Sequence, residues 1–199
     1  GKGWVGLMGL AFIPTYIQYL GVESYGLIGL FALLTAWLNL LDLGMVPTLN
    51  REMARFTAGA HTSQSICDLL RSLEIIGITL SIVASLIVWA ISGWLASDWV
   101  RVERLPIETV SQAIAIMGVV GALGFFEGLY RGAILGLQKQ VLFNAINSLA
   151  ATVRAVGAIG VLVWVSPTIE AYFVWQGIVS LGSLIVLITA TYGLLPKPL

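Results

Sequence analysis

The 199-residue sequence has few charges, since only 10% of its residues are Asp, Glu, Lys or Arg, whereas soluble globular domains carry roughly 25%. Because 58% of the residues are hydrophobic and the mean hydropathy is +0.96, the charged side chains cannot cover the surface of a soluble fold. Ten acidic and ten basic residues cancel, which excludes a basic face for nucleic acid. These deficits predict a chain that is solvated by the lipid bilayer.

Histidine and cysteine are also scarce, with one residue of each, His61 and Cys67. A lone cysteine cannot form an intramolecular disulfide, and a lone histidine cannot build a metal cluster or a Ser/His or Cys/His catalytic pair. The glycines lie in apolar runs without the Lys and Ser/Thr that hold a nucleotide phosphate. We therefore expect a protein that is not an enzyme and that uses no cofactor and no metal ion.

The sequence contains long apolar runs with few or no charged residues. Six of them are long enough to cross a bilayer, which requires roughly 20 helical residues. They predict helices at 3–20, 25–46, 73–97, 108–130, 141–165 and 170–195. None alternates apolar and polar residues over segments of about 10 positions, as the strands of a membrane barrel do. The predicted fold class is an all-α membrane protein, a six-transmembrane-helix bundle forming a single domain over 1–199.

The positions of Lys and Arg predict the orientation, because short positively charged loops are retained in the cytoplasm. Seven of these residues fall on one side of the predicted spans: Lys2, Arg51, Arg55, Arg71, Arg131, Lys139 and Lys197. The opposite loops hold only Arg101 and Arg104. Both termini are therefore predicted to be cytoplasmic. The chain starts at Gly1 and stops two residues after Lys197, and we interpret it as a fragment of a longer protein.

Arg154 lies near the middle of the fifth predicted helix, where a cation costs about 2.5–3.5 kcal/mol on insertion scales. Its helix face is otherwise small or polar, with Asn147, Ala150, Ala151, Gly157 and Ala158. The sixth and second helices have similar faces, formed by Gln176, Ser180 and Ser183 and by Thr35, Asn39 and Asp42. Together these faces predict a water-filled, net cationic cavity for an anionic solute. The alternative is that Arg154 is a structural latch, paired with a buried carboxylate or with backbone carbonyls.

Other polar positions carry weaker predictions. Asp42 marks a break at the end of the second helix, and Arg51 and Arg55 follow it, which predicts a gate or coupling site for an anion or, alternatively, a salt bridge between helices. The i, i+4 spacing of Glu127 and Arg131 is typical of an intrahelical ion pair worth about 0.2–0.5 kcal/mol. Glu74 is expected to be a solvated charge at the membrane interface, with a proton site as the alternative. Small residues every fourth position predict a groove for close helix packing, at Gly124, Gly128, Gly132 and Gly136.

Several short motifs resemble those of polysaccharide exporters, the O-antigen and capsule flippases of the multidrug/oligosaccharidyl-lipid/polysaccharide superfamily. The motifs are YLGVESYGL at 19–27, LDLG at 41–44, NREMAR at 50–55 and GAILGLQ at 132–138, the last followed by a helix with an internal Arg, Arg154. The resemblance covers nearly the whole chain.

The resemblance implies the N-terminal lobe of a two-lobe transporter of the inner membrane. Such flippases move undecaprenyl-diphosphate-linked oligosaccharide to the outer leaflet by alternating access. Arg154 would then contact the diphosphate or an acidic sugar, with Asn147, Gln176, Ser180 and Asn39 lining the cavity. On this view Arg51 and Arg55 help to admit the head group at the cytoplasmic mouth, and Asp42 responds to a coupling cation, H⁺ or Na⁺.

Three other functions remain open on the sequence alone. A cation-coupled drug antiporter of the same superfamily is favoured if acidic residues outnumber basic ones in the full cavity, and here the mid-membrane charge is basic. An intramembrane protease or lipid transferase requires a nucleophile and base, or a carboxylate-bound metal, at one depth, and the sequence offers neither. A structural or assembly subunit is the third.

Overall fold

The computed structural model describes residues 2–100 and 105–196, and in this part of the chain the regular secondary structure is entirely helical. The helices are α1 (Lys2–Ala11), α2 (Ile13–Leu20), α3 (Val22–Leu40), α4 (Met45–Thr57), α5 (Ser63–Trp94), α6 (Ile107–Gly136), α7 (Gln140–Trp164) and α8 (Ile169–Leu194). A π-helical turn, Leu95–Trp99, extends α5. Arg101, Arg104, Lys197 and the side chain of Lys2, which entered the orientation argument, lie outside the described residues.

Five helices are long and apolar enough to cross a membrane, namely α3, α5 with its π-helical turn, α6, α7 and α8. Large apolar side chains on these helices point away from the protein, including Trp37, Trp89 and Trp164, which are 70%, 66% and 85% exposed. Such exposure is unusual where water is the solvent and ordinary where lipid is. The chain thus has the architecture of an all-α membrane protein with at least five candidate spans.

The first predicted span, 3–20, is divided between α1 and α2, of 10 and 8 residues. Phe12 lies at the junction, and Pro14 follows it in the first turn of α2. Proline has no N–H to donate, and its ring clashes with the carbonyl four residues earlier, so it interrupts the regular hydrogen bonding of the helix here. Neither half is long enough alone to cross a bilayer, and the sixth span stays a prediction.

The second predicted helix, 25–46, begins earlier and ends earlier than expected. Its helix, α3, starts directly after Gly21, which has a φ of +82°, and ends at Leu40. A tight turn follows, in which Leu43 and Gly44 have φ values of +47° and +84°. The turn redirects the chain into α4, a separate amphipathic helix that packs against α5 and α6.

The third helix, α5, begins ten residues before the predicted range 73–97. Thr62 caps it, accepting a 3.2 Å hydrogen bond from the amide of Ser65. Its first three turns are polar outside and bury Ile66, Cys67 and Leu70 inside. Hydropathy therefore identified the apolar part of this helix and missed the part that extends beyond it. Helix α6 also outlasts its predicted range, 108–130, by six residues, whereas α7 and α8 begin and end within one residue of theirs.

Helix α6 is the centre of the bundle and contacts α3, α4, α5, α7 and α8. In its most apolar 18-residue stretch 56% of the residues are buried, against 17% in α3, 22% in α5, 17% in α7 and 33% in α8. The predicted glycine groove runs along its last turns. Cβ atoms added at Gly132 and Gly136 would lie 2.9 Å from the carbonyl oxygen of Val46 and 2.7 Å from the Cβ of Met53, both on α4. The prediction of close packing is confirmed for these glycines, which receive α4.

Two buried clusters divide the core along the length of the bundle. One joins α2, α3, the end of α5 and the starts of α6 and α8, around Ile114 and Phe173. The other joins α4, the start of α5 and the ends of α6 and α8, around Met53 and Ile134. We call the second cluster the α4 end of the bundle. Five basic residues lie on the helices and the connection at this end, namely Arg51, Arg55, Arg71, Arg131 and Lys139. Which side of a membrane this end faces stays a prediction.

Candidate functional site

A cavity of about 320 Å³ opens into the bundle between α1, α2, α3, α6, α7 and α8. Its wall on α7 is the predicted small and polar face, with Asn147, Ala150, Ala151 and Arg154. Opposite α7, helix α6 contributes Gly124 and Gly128, whose missing side chains leave room beside Glu127. This volume is near the lower end of the roughly 300–1,000 Å³ that small-molecule pockets occupy.

Arg154 reaches across this cavity from α7 to α8. Its Nη2 donates a 3.0 Å hydrogen bond to Oγ of Ser180 and lies 3.9 Å from Oε1 of Glu127. The Nε of the same guanidinium is buried and has no hydrogen-bond partner. An unpaired buried donor costs about 1–3 kcal/mol, and guanidinium has five donors to satisfy. Arg154 is therefore held in place with donors to spare, as an anion site requires.

Glu127 was predicted to pair with Arg131 along α6, and that prediction is wrong for the described residues. The cation within 4 Å of its carboxylate is Arg154, from a different helix. Oε1 of Glu127 also accepts a 2.5 Å hydrogen bond from Oγ of Ser183 on α8. Glu127 thus belongs to the cavity, and it joins α6 to both α7 and α8.

Two amides in the cavity have no protein partner among the described residues. Gln176 is only 5% exposed and lines the cavity from α8, and Asn147 lines it from α7. Neither amide has a buried atom that lacks a partner, so the polar ends of both side chains are accessible from the cavity. Each side chain therefore offers both a donor and an acceptor to a molecule in the cavity.

The charge of the lining is positive. Arg131, one turn beyond Glu127 on α6, lines the cavity together with Arg154, so two guanidinium groups face one carboxylate. Three tyrosines complete the wall, Tyr16, Tyr25 and Tyr172. The rings of Tyr16 and Tyr172 meet edge to face at 5.4 Å, and the Tyr16 hydroxyl donates to the carbonyl of Ala155 at 3.3 Å. The cavity therefore combines cationic donors with a mostly apolar, aromatic rim.

A smaller cavity of about 150 Å³ adjoins the first, sharing Gly128 and Arg131 with it. It is lined by Asn39 and Asp42, two of the predicted site residues. Oδ1 of Asp42 also accepts a 2.9 Å hydrogen bond from the amide of Val46 and so caps the start of α4. Asp42 thus has a structural task as well as a place beside Arg131.

Arg51 and Arg55 line neither cavity. Both contact Glu52 on α4, with nitrogen to oxygen distances of 3.0 Å, and His61 Nε2 lies 2.7 Å from the same carboxylate. The hydrogen bond with His61, and then the two guanidinium groups, hold the pKa of Glu52 below its usual value. Both ion pairs of this cluster lie within α4, so the cluster is not the salt bridge between helices that was the alternative to a gate. Arg51 and Arg55 remain exposed.

Of the eight predicted site residues, Arg154, Asn147 and Gln176 line the main cavity, and Ser180 accepts the hydrogen bond from Arg154. The structure places Asn39 and Asp42 in the adjoining cavity and Arg51 and Arg55 outside both. Sequence reasoning missed Glu127, Arg131 and the tyrosines as cavity residues. Helix α6 continues to Gly136, so Glu127 lies more than two turns before its end and not at its end. A predicted helix of the correct length would have indicated that Glu127 lies inside the bundle. No group of three or more potential metal ligands lies together in the described ranges.

Glu74 is also placed differently from its predicted role as a solvated charge. Its carboxylate accepts hydrogen bonds from the hydroxyls of Tyr130, at 2.8 Å, and Tyr192, at 2.9 and 3.0 Å. These bonds tie α5 to α6 and α8 near the α4 end. The Glu74 cluster therefore has the features of a structural contact that holds these three helices together.

Neither models of known protein families, nor curated proteins, nor solved structures match the chain. Its function is therefore argued from the chemistry of the cavity.

Proposed function

We propose that the chain forms the substrate cavity of a membrane transporter for an anionic solute, and that this solute is the head group of an undecaprenyl-diphosphate-linked oligosaccharide. The observation that carries the proposal is Arg154, fixed by Ser180 in a cavity with its Nε unpaired. Guanidinium binds phosphate oxygens through paired, charge-assisted hydrogen bonds, which are among the strongest available to a protein.

The size and polarity of the cavity suit part of such a substrate. A cavity of about 320 Å³ accommodates a diphosphate or a sugar phosphate and is too small for a whole oligosaccharide. On this proposal Arg154 and Arg131 hold the diphosphate, Asn147 and Gln176 bond its oxygens or the first sugar, and the remaining saccharide and the lipid tail extend outside. The low dielectric of the surroundings strengthens each of these contacts.

The proposal includes a topology. The α1 and α2 helices together form a first span, which with the five long helices gives six, both termini are cytoplasmic, and the α4 end faces the cytoplasm. The bundle then acts as the N-terminal lobe of a two-lobe flippase in the inner membrane, working by alternating access. Arg131 and the adjoining cavity with Asn39 and Asp42 lie between the α4 end and Arg154, where an entering head group first meets the protein.

The test is export of lipid-linked oligosaccharide in cells that depend on this chain. Arg154→Ala should reduce export at least about 10-fold, the equivalent of one lost charge-assisted hydrogen bond, and precursor should accumulate on the inner leaflet. Lys139→Ala, which removes an exposed cation between α6 and α7 without touching the cavity, is the matched control and should export normally. Normal export by Arg154→Ala, at equal protein levels in the membrane, would contradict the proposal.

A cation-coupled drug antiporter is the second candidate, and one observation favours it. Three tyrosines and the carboxylate of Glu127 line the same cavity, a combination that binds lipophilic cations through ring faces and charge. The same variants discriminate between the two functions. Loss of drug efflux in Glu127→Gln, with efflux retained in Arg154→Ala, would favour the antiporter.

A further inference from the structure

The carboxylate of Glu127 lies in the cavity, where it competes with an incoming anion for Arg154. Oε1 of Glu127 lies 3.9 Å from Nη2 of Arg154, which is close enough for attraction between the charges and too far for a hydrogen bond. Ser183 and Ser180, both on α8, account for this spacing. Ser183 donates to Glu127, and Ser180 accepts from Arg154, so each charged group is tied to a hydroxyl instead of closing on the other.

Glu127 is surrounded by two basic side chains and three tyrosines. The other charged groups that face it are Arg154 from α7 and Arg131 from its own helix. Tyr16, Tyr25 and Tyr172 bring phenol groups from α2, α3 and α8. Asp42, which precedes α4, lies beyond Arg131 in the adjoining cavity. Among the described lining residues of the main cavity, Glu127 is the one carboxylate.

We propose that Glu127 is an internal counter-ion, and that it takes up a proton when an anion binds to Arg154, so that anion and proton enter the cavity together. This inference rests on the proposed function. While Glu127 is ionised it offsets one of the two guanidinium charges. Once it is protonated, both guanidinium groups act on the anion without opposition.

Charge balance supports this stoichiometry. With Glu127 ionised, the lining has one net positive charge, and with Glu127 protonated it has two. A diphosphate esterified at both ends, as in a lipid-linked saccharide, carries one negative charge on each phosphate. Uptake of one proton therefore makes the occupied cavity neutral, and a neutral site avoids the cost of a net charge at low dielectric. No bond other than the O–H of the carboxyl group is made or broken.

The experiment is calorimetric binding of sulfate to the full chain in detergent. Sulfate is a suitable probe because its charge does not change between about pH 8 and about pH 5, where a carboxyl group is able to titrate. The wild type should bind sulfate at least about 100-fold more tightly at the acidic end, because uptake of close to one proton with the anion changes the affinity about 10-fold for each pH unit over which it occurs. Glu127→Gln should bind at both pH values as tightly as the wild type does in acid. Glu108→Gln, at the exposed start of the same helix, is the matched control and should follow the wild type.

Proton uptake is measured in the same titrations by repeating them in buffers of different ionisation enthalpy. The wild type should take up close to one proton for each sulfate near neutral pH, and Glu127→Gln none. Retention of the pH dependence and of proton uptake by Glu127→Gln would overturn the proposal. If Glu127→Gln does not fold, Ser183→Ala replaces it. Without the Ser183 hydroxyl the carboxylate closes on Arg154, and sulfate affinity at about pH 8 should fall; unchanged affinity would count against the counter-ion.

Failure of the inference is distinguishable from failure of the proposed function. Arg154→Gln should weaken sulfate binding about 10- to 100-fold if the cavity is an anion site. If Arg154→Gln binds as well as the wild type, the proposed function is wrong. If Arg154→Gln weakens binding by this factor while Glu127→Gln behaves as the wild type, the cavity is an anion site and only the counter-ion proposal is wrong.

Discussion

Two polar clusters lie among the apolar helices of this protein, one around Arg154 and one around Glu74, and they differ in how fully their hydrogen bonds are made. The Glu74 carboxylate accepts from two tyrosine hydroxyls, that of Tyr130 at 2.8 Å and that of Tyr192, which lies 2.9 and 3.0 Å from its two oxygens. Arg154 makes one hydrogen bond to a side chain, leaves Nε unpaired and stands 3.9 Å from its counter-charge. The first cluster is complete in itself, and the second is short of partners.

The comparison separates a structural latch from a binding site without reference to position or charge. A group whose partners are all supplied by the protein stabilises the fold and gains nothing from a ligand. A group that the fold holds rigidly with unsatisfied donors costs stability, and it recovers that cost when a ligand supplies the acceptors. On this criterion the Arg154 cluster has the features of a binding site, in line with the proposed function, and the Glu74 cluster those of a structural contact.

The largest expected effect is a loss of sulfate affinity when the Arg154 cluster is changed. Arg154→Met removes the charged donors and keeps a flexible apolar chain, so sulfate affinity should fall about 10- to 100-fold, corresponding to roughly 1.5–3 kcal/mol. Thermal stability in detergent is compared in the Glu127→Gln background, so that no buried carboxylate loses its counter-charge, and there it should stay equal or increase because an unpaired buried donor disappears. Calorimetry and thermal unfolding measure the two quantities. A marked loss of stability would make Arg154 a latch after all.

The second effect is on stability at the Glu74 cluster. Glu74→Ala leaves the buried hydroxyl of Tyr130 without its acceptor and should cost about 1–3 kcal/mol of unfolding free energy. Tyr192→Phe, at the exposed side of the same cluster, should cost less. Sulfate affinity should not change in either variant. A change in affinity without loss of stability would reverse the roles of the two clusters.

The third effect compares two glycines of α6, Gly136, which is packed against α4, and Gly124, which borders the cavity. A Cβ at Gly136 would collide with the backbone of Asn50 and with Met53, so Gly136→Ala should cost about 1–3 kcal/mol by forcing α4 away. A Cβ at Gly124 meets nothing within 4 Å, because Gly124 borders the cavity. Gly124→Ala should therefore leave the unfolding temperature unchanged or raise it slightly. Equal destabilisation by both substitutions would mean that the cavity is closed in the membrane.

The smallest effect is the pH dependence of the exposed cluster on α4. Because His61, Arg51 and Arg55 lower the pKa of Glu52, its contribution to stability is present above the ordinary glutamate pKa of about 4.3 and is lost as the pH falls through the lowered value. The wild type should therefore unfold at a slightly higher temperature than Glu52→Gln near neutral pH, and this difference should disappear in strong acid. A difference that persists in strong acid would show that Glu52 acts through packing.

Most of the helical framework was predictable from the sequence, because apolar runs without charge leave few alternatives to a membrane helix. The ends of α7 and α8 follow from such runs to within one residue. The break at Phe12 was not predicted, because its cause is local. It is a single residue, Pro14, within an otherwise continuous apolar run. The start of α5 was missed for the opposite reason, because its first turns are amphipathic and pack against α4, which hydropathy does not register.

The site was predictable in part, and the limit is physical. Helical periodicity places Asn147 and Arg154 on one face, and Gln176 and Ser180 on another, so these residues could be grouped from the sequence. The approach of Glu127 to Arg154 joins two helices, and no periodicity within either helix encodes it. Arg51 and Arg55 lie outside both cavities because they pair with Glu52 on α4, whose carboxylate is also contacted by His61 from the following loop. Their role as a gate stays a prediction.

Two indole rings bracket Arg154 on α7 and give the protein an optical signal of its own. Trp4 donates to Oγ1 of Thr152 at 3.0 Å, and Trp175 lies against Gly157 while its Nε1 donates to the carbonyl of Val153 at 3.3 Å. Any displacement of this stretch of α7 changes the polarity around both rings, and indole emission responds to polarity. The movements of the helix that carries Arg154 are thus visible in the fluorescence of the unlabelled protein, and Trp175→Phe identifies the share that arises beside Gly157.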